Sequence, residues 1–287
     1  KRPGIHRLAC LQAVACGSDS VQYFQWRKGR GSYEQFHGAV VDHLGTDDTR
    51  VFKEVAEVGE LLKKIAPVAG TLVRTKAAML FDWDNRWAIE DMKALGRETK
   101  KYEETCIGIW KEFFRLGVDM DIVGSDEDLD RYDLVVAPML YMLQPHTAAN
   151  LRTFVERGGQ LLATYLTGYV DSDQLCYLGG FPGDGLKDLF GIVSEEIDSL
   201  YPTDRNAIVL TDESLQKKAV SGESAGEKES CGDWEVVEYA EVLRVQDAQV
   251  LGTYGEDFYQ GSAAITCKKH GKGNAWYVAA RTDAPAM

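Results

Sequence analysis

Residues 132–166, YDLVVAPMLYMLQPHTAANLRTFVERGGQLLATYL, decide the fold, because two apolar runs enclose a segment that predicts a helix. The runs 132–140 and 160–166 are short and apolar, which is typical of buried strands. The segment 146–159 between them predicts a helix that ends at a pair of glycines. Strand, helix and strand in succession predict an α/β domain with a mostly parallel, doubly wound, flavodoxin-like sheet.

The same alternation continues on both sides of this stretch. Before it, the sequence predicts a strand at 76–82, an amphipathic helix at 101–118 and a strand at 120–123. After it, the segments 241–255 and 262–281 alternate apolar and polar residues like antiparallel strands, with KHGKGN as a hairpin turn. The polar segment 213–230 carries almost no bulky apolar residue and predicts an exposed excursion.

The first 66 residues form a different pattern of helix, strand, loop and helix. A first helix begins after Pro3 and ends near Gly17, SVQYFQWR (20–27) predicts a strand, and a long helix runs from about Thr49 to Ile65. One strand cannot form a sheet, so this part should complete a larger sheet or barrel. APVAG, at 66–70, is the predicted boundary, which gives domains 1–66 and 71–287.

Composition excludes several classes of partner. The formal net charge is −13 over 287 residues, which opposes the phosphate contacts of nucleic-acid binding and attraction to anionic membranes. A neutral partner such as a sugar suits this surface. The six cysteines are scattered without a C-x-x-C pair, which favours a reducing, cytoplasmic setting. No apolar run is long enough to span a membrane, and no signal peptide is recognised.

Glu34 and His37 are the first candidate functional residues, because a spacing of three places them on one face of a helical turn. Glu-x-x-His is half of a di-iron motif, but no other histidine has Glu three residues before it. A retaining glycosidase needs two carboxylates about 5–5.5 Å apart, and no partner for Glu34 is evident. From the residues alone, Glu34 and His37 are equally well interpreted as solvent-exposed side chains at the start of a helix, without a functional role.

Three other patterns in the sequence bear on its function. Cys267 and His270 form only one potential metal-binding pair, so neither a metal site nor a cofactor is predicted. An amidotransferase would place a nucleophilic Cys in the turn 165–168, which contains none. Trp83 and Trp87 lie among four carboxylates after a strand, where they could form a cleft wall or an interface with another domain or subunit.

Taken together, the chain resembles the family 42 glycoside hydrolases, which are multi-domain β-galactosidases. The resemblance covers nearly the whole chain in order and rests on GSDSVQYFQWR, EQFHGAVVDHLGTDDTRVFKEVAEVGELL, MLFDWDNRWAIE, YDLVVAPMLYML, VERGGQLLATYLTGYVDSDQLCYLGGFPG and GKGNAWYVAAR. Gly29 and Ser32 depart from that family's usual Ser and Gly in the turn before Glu34.

The resemblance implies a role for each part of the chain. Residues 1–66 are similar to the end of a (β/α)8 barrel, comprising helix 7, strand 8 and helix 8, and 71–287 to an amidotransferase-like trimerisation domain. The family's two catalytic glutamates would lie before Lys1, so no catalytic residue is expected here. Glu34 and His37 match residues that bind galactose hydroxyls. Nearby cleft or interface candidates are Trp26, Arg27 and Arg30.

The expected function is therefore part of a β-galactosidase that hydrolyses terminal β-D-galactosides with retention. Its partners would be the galactoside and two further copies in a homotrimer, with no nucleic acid and no membrane. The chain alone is expected to be inactive, because one βα unit cannot close an eight-stranded barrel. The alternative is a stand-alone self-association module with a catalytically dead amidotransferase-like fold.

Overall fold

The computed structural model describes residues 1–96, 100–211 and 233–283. The chain divides into two compact units, Lys1–Arg74 (unit 1) and Thr75–Met287 (unit 2). The predicted polar excursion at 213–230 lies outside the described residues. Within those residues, no helix combines the length and the apolar character that crossing a bilayer requires.

Unit 1 is built on two helices that pack against each other, α1 (Ile5–Ala15) and α2 (Arg50–Lys64). The N-terminus of α2 is capped by Thr49, whose hydroxyl accepts a hydrogen bond from the Phe52 amide at 3.3 Å. Val58 is the buried residue of the α2 apolar stripe. Both helices were predicted, and both are confirmed.

The strand predicted at 20–27 is wrong. This segment contains only an isolated bridge, between Arg27 and Val41. A strand is stabilised by ladder hydrogen bonds to a neighbour, and unit 1 has no other strand in its described residues. The end of the segment is instead joined to residues 40–41 by three backbone hydrogen bonds of 2.8–3.0 Å.

Unit 2 contains one large sheet, to which eleven strands of the described residues contribute. They are β1 (Ala77–Leu80), β2 (Met120–Val123), β3 (Leu134–Ala137), β4 (Gln160–Thr164), β5 (Ile192–Ser199), β6 (Asn206–Leu210), β7 (Asp233–Val245), β8 (Gln249–Tyr254), β9 (Ala263–His270), β10 (Gly273–Val278) and β11 (Ala280–Thr282). The helices are α3 (Trp83–Asp91), α4 (Tyr102–Arg115), α5 (Thr147–Arg157) and α6 (Leu186–Phe190).

One half of the sheet is parallel, with strand order β2-β1-β3-β4-β10. All four residues of β1 are buried, as expected for a strand covered on both faces. The strands and helices predicted within 76–166 are present, with ends shifted by a few residues. Residues 83–91, for which the sequence predicted no helix, form α3.

The other half of the sheet is antiparallel, so the prediction of a mostly parallel sheet is wrong for the sheet as a whole. The 13-residue strand β7 pairs antiparallel with β5, β6, β9 and β11. Residues 271–272 join β9 to β10, and a connection this short allows only an antiparallel pair. The predicted hairpin turn at 269–274 is confirmed.

Candidate functional site

Glu34 and His37 lie together on one loop of unit 1. A single 3-10 turn, Ser32–Glu34, precedes His37, whose amide donates a hydrogen bond to the Glu34 carbonyl at 3.0 Å. His37 Nδ1 is 4.0 Å from Glu34 Oε2, and the two side chains are 52% and 50% exposed. The spacing of three in the sequence therefore gives a solvent-facing pair of a carboxylate and an imidazole.

Neighbouring residues hold this pair. Gln25 Nε2 donates a hydrogen bond to Glu34 Oε2 at 3.1 Å. The Phe24 ring lies against the His37 ring, with centroids 5.3 Å apart. His43 Nε2 lies 3.0 Å from the Gly29 carbonyl oxygen, a contact that ties the start of the loop to the segment that follows it.

This arrangement can form hydrogen bonds with hydroxyl groups. A carboxylate accepts hydroxyl protons, whereas an imidazole donates or accepts according to its tautomer. The aromatic side chains of Phe24, Tyr33 and Phe36 are exposed on the same stretch of chain. Ligand sites typically combine such aromatic surface with a few converging polar groups. Glu34 alone cannot supply the two carboxylates that glycoside hydrolysis requires.

Trp26 and Arg27 have packing contacts at the base of the loop. The Trp26 indole meets Phe52 of α2 edge to face at 6.2 Å, although much of Trp26 remains exposed. The Arg27 guanidinium lies so close to Gly45 that a Cβ there would be 3.2 Å from Nη2. Arg30 is exposed. That these three residues form a cleft stays a prediction.

Trp83 and Trp87 lie one turn apart on α3 of unit 2. Their ring centroids are 6.3 Å apart, and the residues are 56% and 53% exposed. The Arg86 guanidinium lies 5.3 Å from the Trp83 ring centroid, and it also forms ion pairs with Glu90 (3.1 Å) and Glu103 (2.5 Å). The helix therefore presents two indoles held beside a charged cluster.

The crevice in which open α/β sheets usually bind ligands is filled. The strand order reverses between β1 and β3, which makes their carboxyl ends the expected position. Asn85 occupies it and is 1% exposed. Its Nδ2 donates to the Met139 carbonyl at 3.0 Å, and its Oδ1 accepts from the Met142 amide at 2.8 Å. Both polar ends of this side chain are thus used within the fold.

The turn after β4, at residues 165–168, is where an amidotransferase would have its nucleophile elbow, and it contains no Cys. Leu166 occupies it with φ of +61°, a conformation that costs energy for a residue with a Cβ. The Leu166 amide donates to the buried carboxylate of Glu241 at 2.8 Å. Tyr169 and Tyr277 also donate to that carboxylate, each at 2.8 Å.

Glu241 is a buried titratable residue that sequence reasoning missed. Burial raises the pKa of its carboxyl to about 7, even though the three hydrogen bonds act in the opposite direction. The available signal was a Glu within the apolar alternation of the predicted strand 241–255. In the described part of the chain, no three His, Cys, Asp or Glu side chains lie close enough together to hold a metal ion.

Comparison with known proteins gives matches along nearly the whole chain. A family model described as the β-galactosidase trimerisation domain matches residues 75–287, and one described as β-galactosidase matches residues 1–65. β-Galactosidase BglY of Alicyclobacillus acidocaldarius is 49% identical over 283 residues, and β-galactosidase Pbg of Clostridium perfringens is 46% identical over 283 residues. Each alignment covers 99% of this chain and 39% of the relative.

Solved structures agree with these matches. The chain superimposes on a mutant of Gan42B, a family 42 β-galactosidase from G. stearothermophilus, with a TM-score of 0.88 at 41% identity. A cold-adapted β-galactosidase from Rahnella sp. R3 gives a TM-score of 0.86 at 45% identity. Both superpositions cover 99% of this chain, and 39% and 40% of the respective structures. The chain thus spans about two fifths of the proteins it matches.

Proposed function

Because this chain belongs to the family 42 glycoside hydrolases, the β-galactosidases, we propose that it supplies part of the sugar subsite and the self-association domain of a β-galactosidase. The reaction proposed for the whole protein is hydrolysis of terminal β-D-galactosides with retention. The observation that carries the sugar role is the solvent-facing Glu34–His37 pair beside exposed aromatic rings.

Unit 1 is proposed to be the end of a (β/α)8 barrel. Its order of helix, irregular segment, polar loop and helix corresponds in sequence to helix 7, strand 8 and helix 8 of such a barrel. Barrel active sites are built from the loops that follow the carboxyl ends of the strands. The loop with Glu34 and His37 follows the segment 20–27, which supports the assignment of these residues to a galactose subsite.

The sugar role is tested in a full-length β-galactosidase that contains this chain. Glu34→Ala and His37→Ala should each lower kcat/KM for a chromogenic β-galactoside by at least about tenfold, because a hydroxyl loses a charged or polar partner. A galactoside that lacks the contacted hydroxyl should lose less from the same substitutions. The matched control is Glu60→Gln on α2, whose carboxylate pairs with Lys63 on the surface. Unchanged kinetics in both alanine variants would contradict the assignment.

A polypeptide limited to Lys1–Met287 is proposed to lack hydrolytic activity. Retaining hydrolysis needs an acid/base and a nucleophile, and the resemblance assigns both to strands earlier in the barrel. The test is an assay of this polypeptide with a chromogenic β-galactoside after purification to homogeneity. The expression host's own β-galactosidase must be inactivated as a control. Turnover that remains after this inactivation would refute the proposal.

Self-association is the second proposed role, and it rests on unit 2. The match to a trimerisation domain covers this unit, and α3 presents two exposed indoles there. We expect a homotrimer in which Trp83 and Trp87 are buried against another copy. The alternative, a stand-alone module without any sugar role, predicts the same assembly but no effect of Glu34→Ala on any galactosidase activity. The kinetic test above therefore distinguishes the two.

A further inference from the structure

The Glu34 carboxylate is held by a residue outside its own turn. Gln25 Nε2 donates to Glu34 Oε2 at 3.1 Å, and the same oxygen lies 4.0 Å from His37 Nδ1. Both contacts use Oε2, and within the described residues Oε1 forms no hydrogen bond or ion pair. The carboxylate is thus held through Oε2, and its Oε1 can accept a hydrogen bond from a ligand hydroxyl.

Gln25 itself belongs to the hydrogen-bonded base of the loop. Its carbonyl accepts a hydrogen bond from the Val40 amide at 3.0 Å. Two further backbone bonds, Val41 N to Trp26 O at 2.8 Å and Lys28 N to Val41 O at 2.9 Å, extend this pairing. Gln25 is partly buried, whereas Glu34 is half exposed at the far side of the loop. The side-chain hydrogen bond therefore joins the half-exposed Glu34 to a partly buried residue whose backbone is paired.

We propose that Gln25 is a positioning residue that orients the Glu34 carboxylate for a hydroxyl of the galactoside. A free Glu side chain loses rotamer freedom when it engages a ligand, and a side chain already held in place loses less. A hydrogen bond to a charged carboxylate is also stronger than a hydrogen bond between two neutral groups. This inference rests on the proposed role of Glu34 in sugar binding.

The first experiment is a double-mutant cycle in the full-length enzyme with a chromogenic β-galactoside. Gln25→Leu should lower kcat/KM by about tenfold, and the loss should vanish when Glu34 is already Ala. Gln22→Leu is the matched control, because Gln22 contacts Ser20 on the same segment and has no part in the loop. Thermal melts of all variants establish that folding is retained.

A pH profile separates positioning from a structural role. Gln25→Glu replaces the donor by a carboxylate next to Glu34, and the two can share a proton only at acid pH. The ratio of kcat/KM between this variant and the wild type should therefore rise at least about fivefold from pH 7.5 to pH 5. A ratio independent of pH, or additive effects of Gln25→Leu and Glu34→Ala, would overturn the positioning role. No loss of kcat/KM in Glu34→Ala would instead overturn the proposed sugar function itself.

Discussion

Replacing Glu241 by Gln should remove a pH dependence from the stability of unit 2. The carboxyl is fully buried and accepts hydrogen bonds from the Leu166 amide and from the Tyr169 and Tyr277 hydroxyls. Burial raises its pKa from the ordinary 4.5 to about 7, so the folded state holds this proton more tightly than the unfolded state does. Gln is uncharged at every pH and has nearly the same shape.

The sign and size follow from the linkage between protonation and folding. A group whose pKa is raised by folding contributes stability below its unfolded pKa and loses it as pH rises through its folded pKa. For Glu241 this window runs from about 4.5 to about 7. The whole contribution is about 3 kcal/mol. Wild type should therefore lose about 3 kcal/mol relative to Glu241→Gln between pH 4.5 and pH 8.

The measurement is urea unfolding of the chain at four pH values between 4.5 and 8, followed by aromatic fluorescence. The quantity compared is the difference in free energy of unfolding between wild type and variant, because every other titrating group cancels in it. Glu256→Gln, an exposed carboxylate on a neighbouring turn, is the matched control and should give a flat difference. Gln has one acceptor oxygen instead of two and no longer accepts the hydrogen bond from the Tyr277 hydroxyl. This loss adds an offset to the difference in unfolding free energy that does not depend on pH. A flat difference for Glu241→Gln would refute the reasoning.

Three further tests by substitution address the fold and the assembly. Asn85→Leu should destabilise unit 2 by about 2–4 kcal/mol in urea unfolding, because two buried backbone groups lose their partner; a loss below 1 kcal/mol would contradict the crevice-filling role. Thr49→Ala should cost about 1 kcal/mol and lower the helical circular dichroism of α2, whereas Thr49→Ser should not. Trp83→Ser combined with Trp87→Ser should shift the sedimentation coefficient from that of the proposed trimer towards that of a monomer, whereas substitution of the still more exposed Phe258 by Ser should not. An unchanged sedimentation coefficient would exclude α3 from the interface.

The elements that the sequence predicted well are those whose apolar pattern matches their burial. Strand β2 has the predicted limits, Met120–Val123, and α4 lies within the predicted 101–118. Helix α3 was not recognised because its pattern is inverted. It buries the polar Asn85 beside Ala88 and Ile89 and exposes both of its tryptophans. An amphipathic pattern cannot identify a helix that places its largest apolar side chains in solvent.

The strand predicted at 20–27 shows a different limit. The residues have the β-branched and aromatic character of a strand, but strand formation depends on a hydrogen-bonded neighbour that unit 1 does not supply in its described residues. Propensity describes what a segment can form, whereas pairing decides what it does form. The antiparallel half of the sheet was underestimated for a related reason, since β5 and β6 lack a clear alternating pattern.

The candidate site divides in the same way between local and non-local features. The pairing of Glu34 with His37 follows from a spacing of three, which the sequence shows directly. The contact of Gln25 with Glu34 joins residues nine positions apart and depends on how residues 25–28 pair with 40–41. The environment of Glu241 gathers donors from two other segments of unit 2. Such contacts are properties of the folded chain and have no sequence signature.

Unit 2 keeps the frame of a ligand-binding α/β domain while its usual ligand positions are used for packing. Asn85 fills the crevice between β1 and β3 through two buried hydrogen bonds. Leu166 stands at the elbow turn, and its amide binds Glu241 instead of a reacting oxyanion. A fold alone does not specify a function, so chemistry has to be argued from the side chains present. At both positions the side chains of unit 2 are engaged in packing and supply no reactive group, which agrees with the assembly role proposed for this unit.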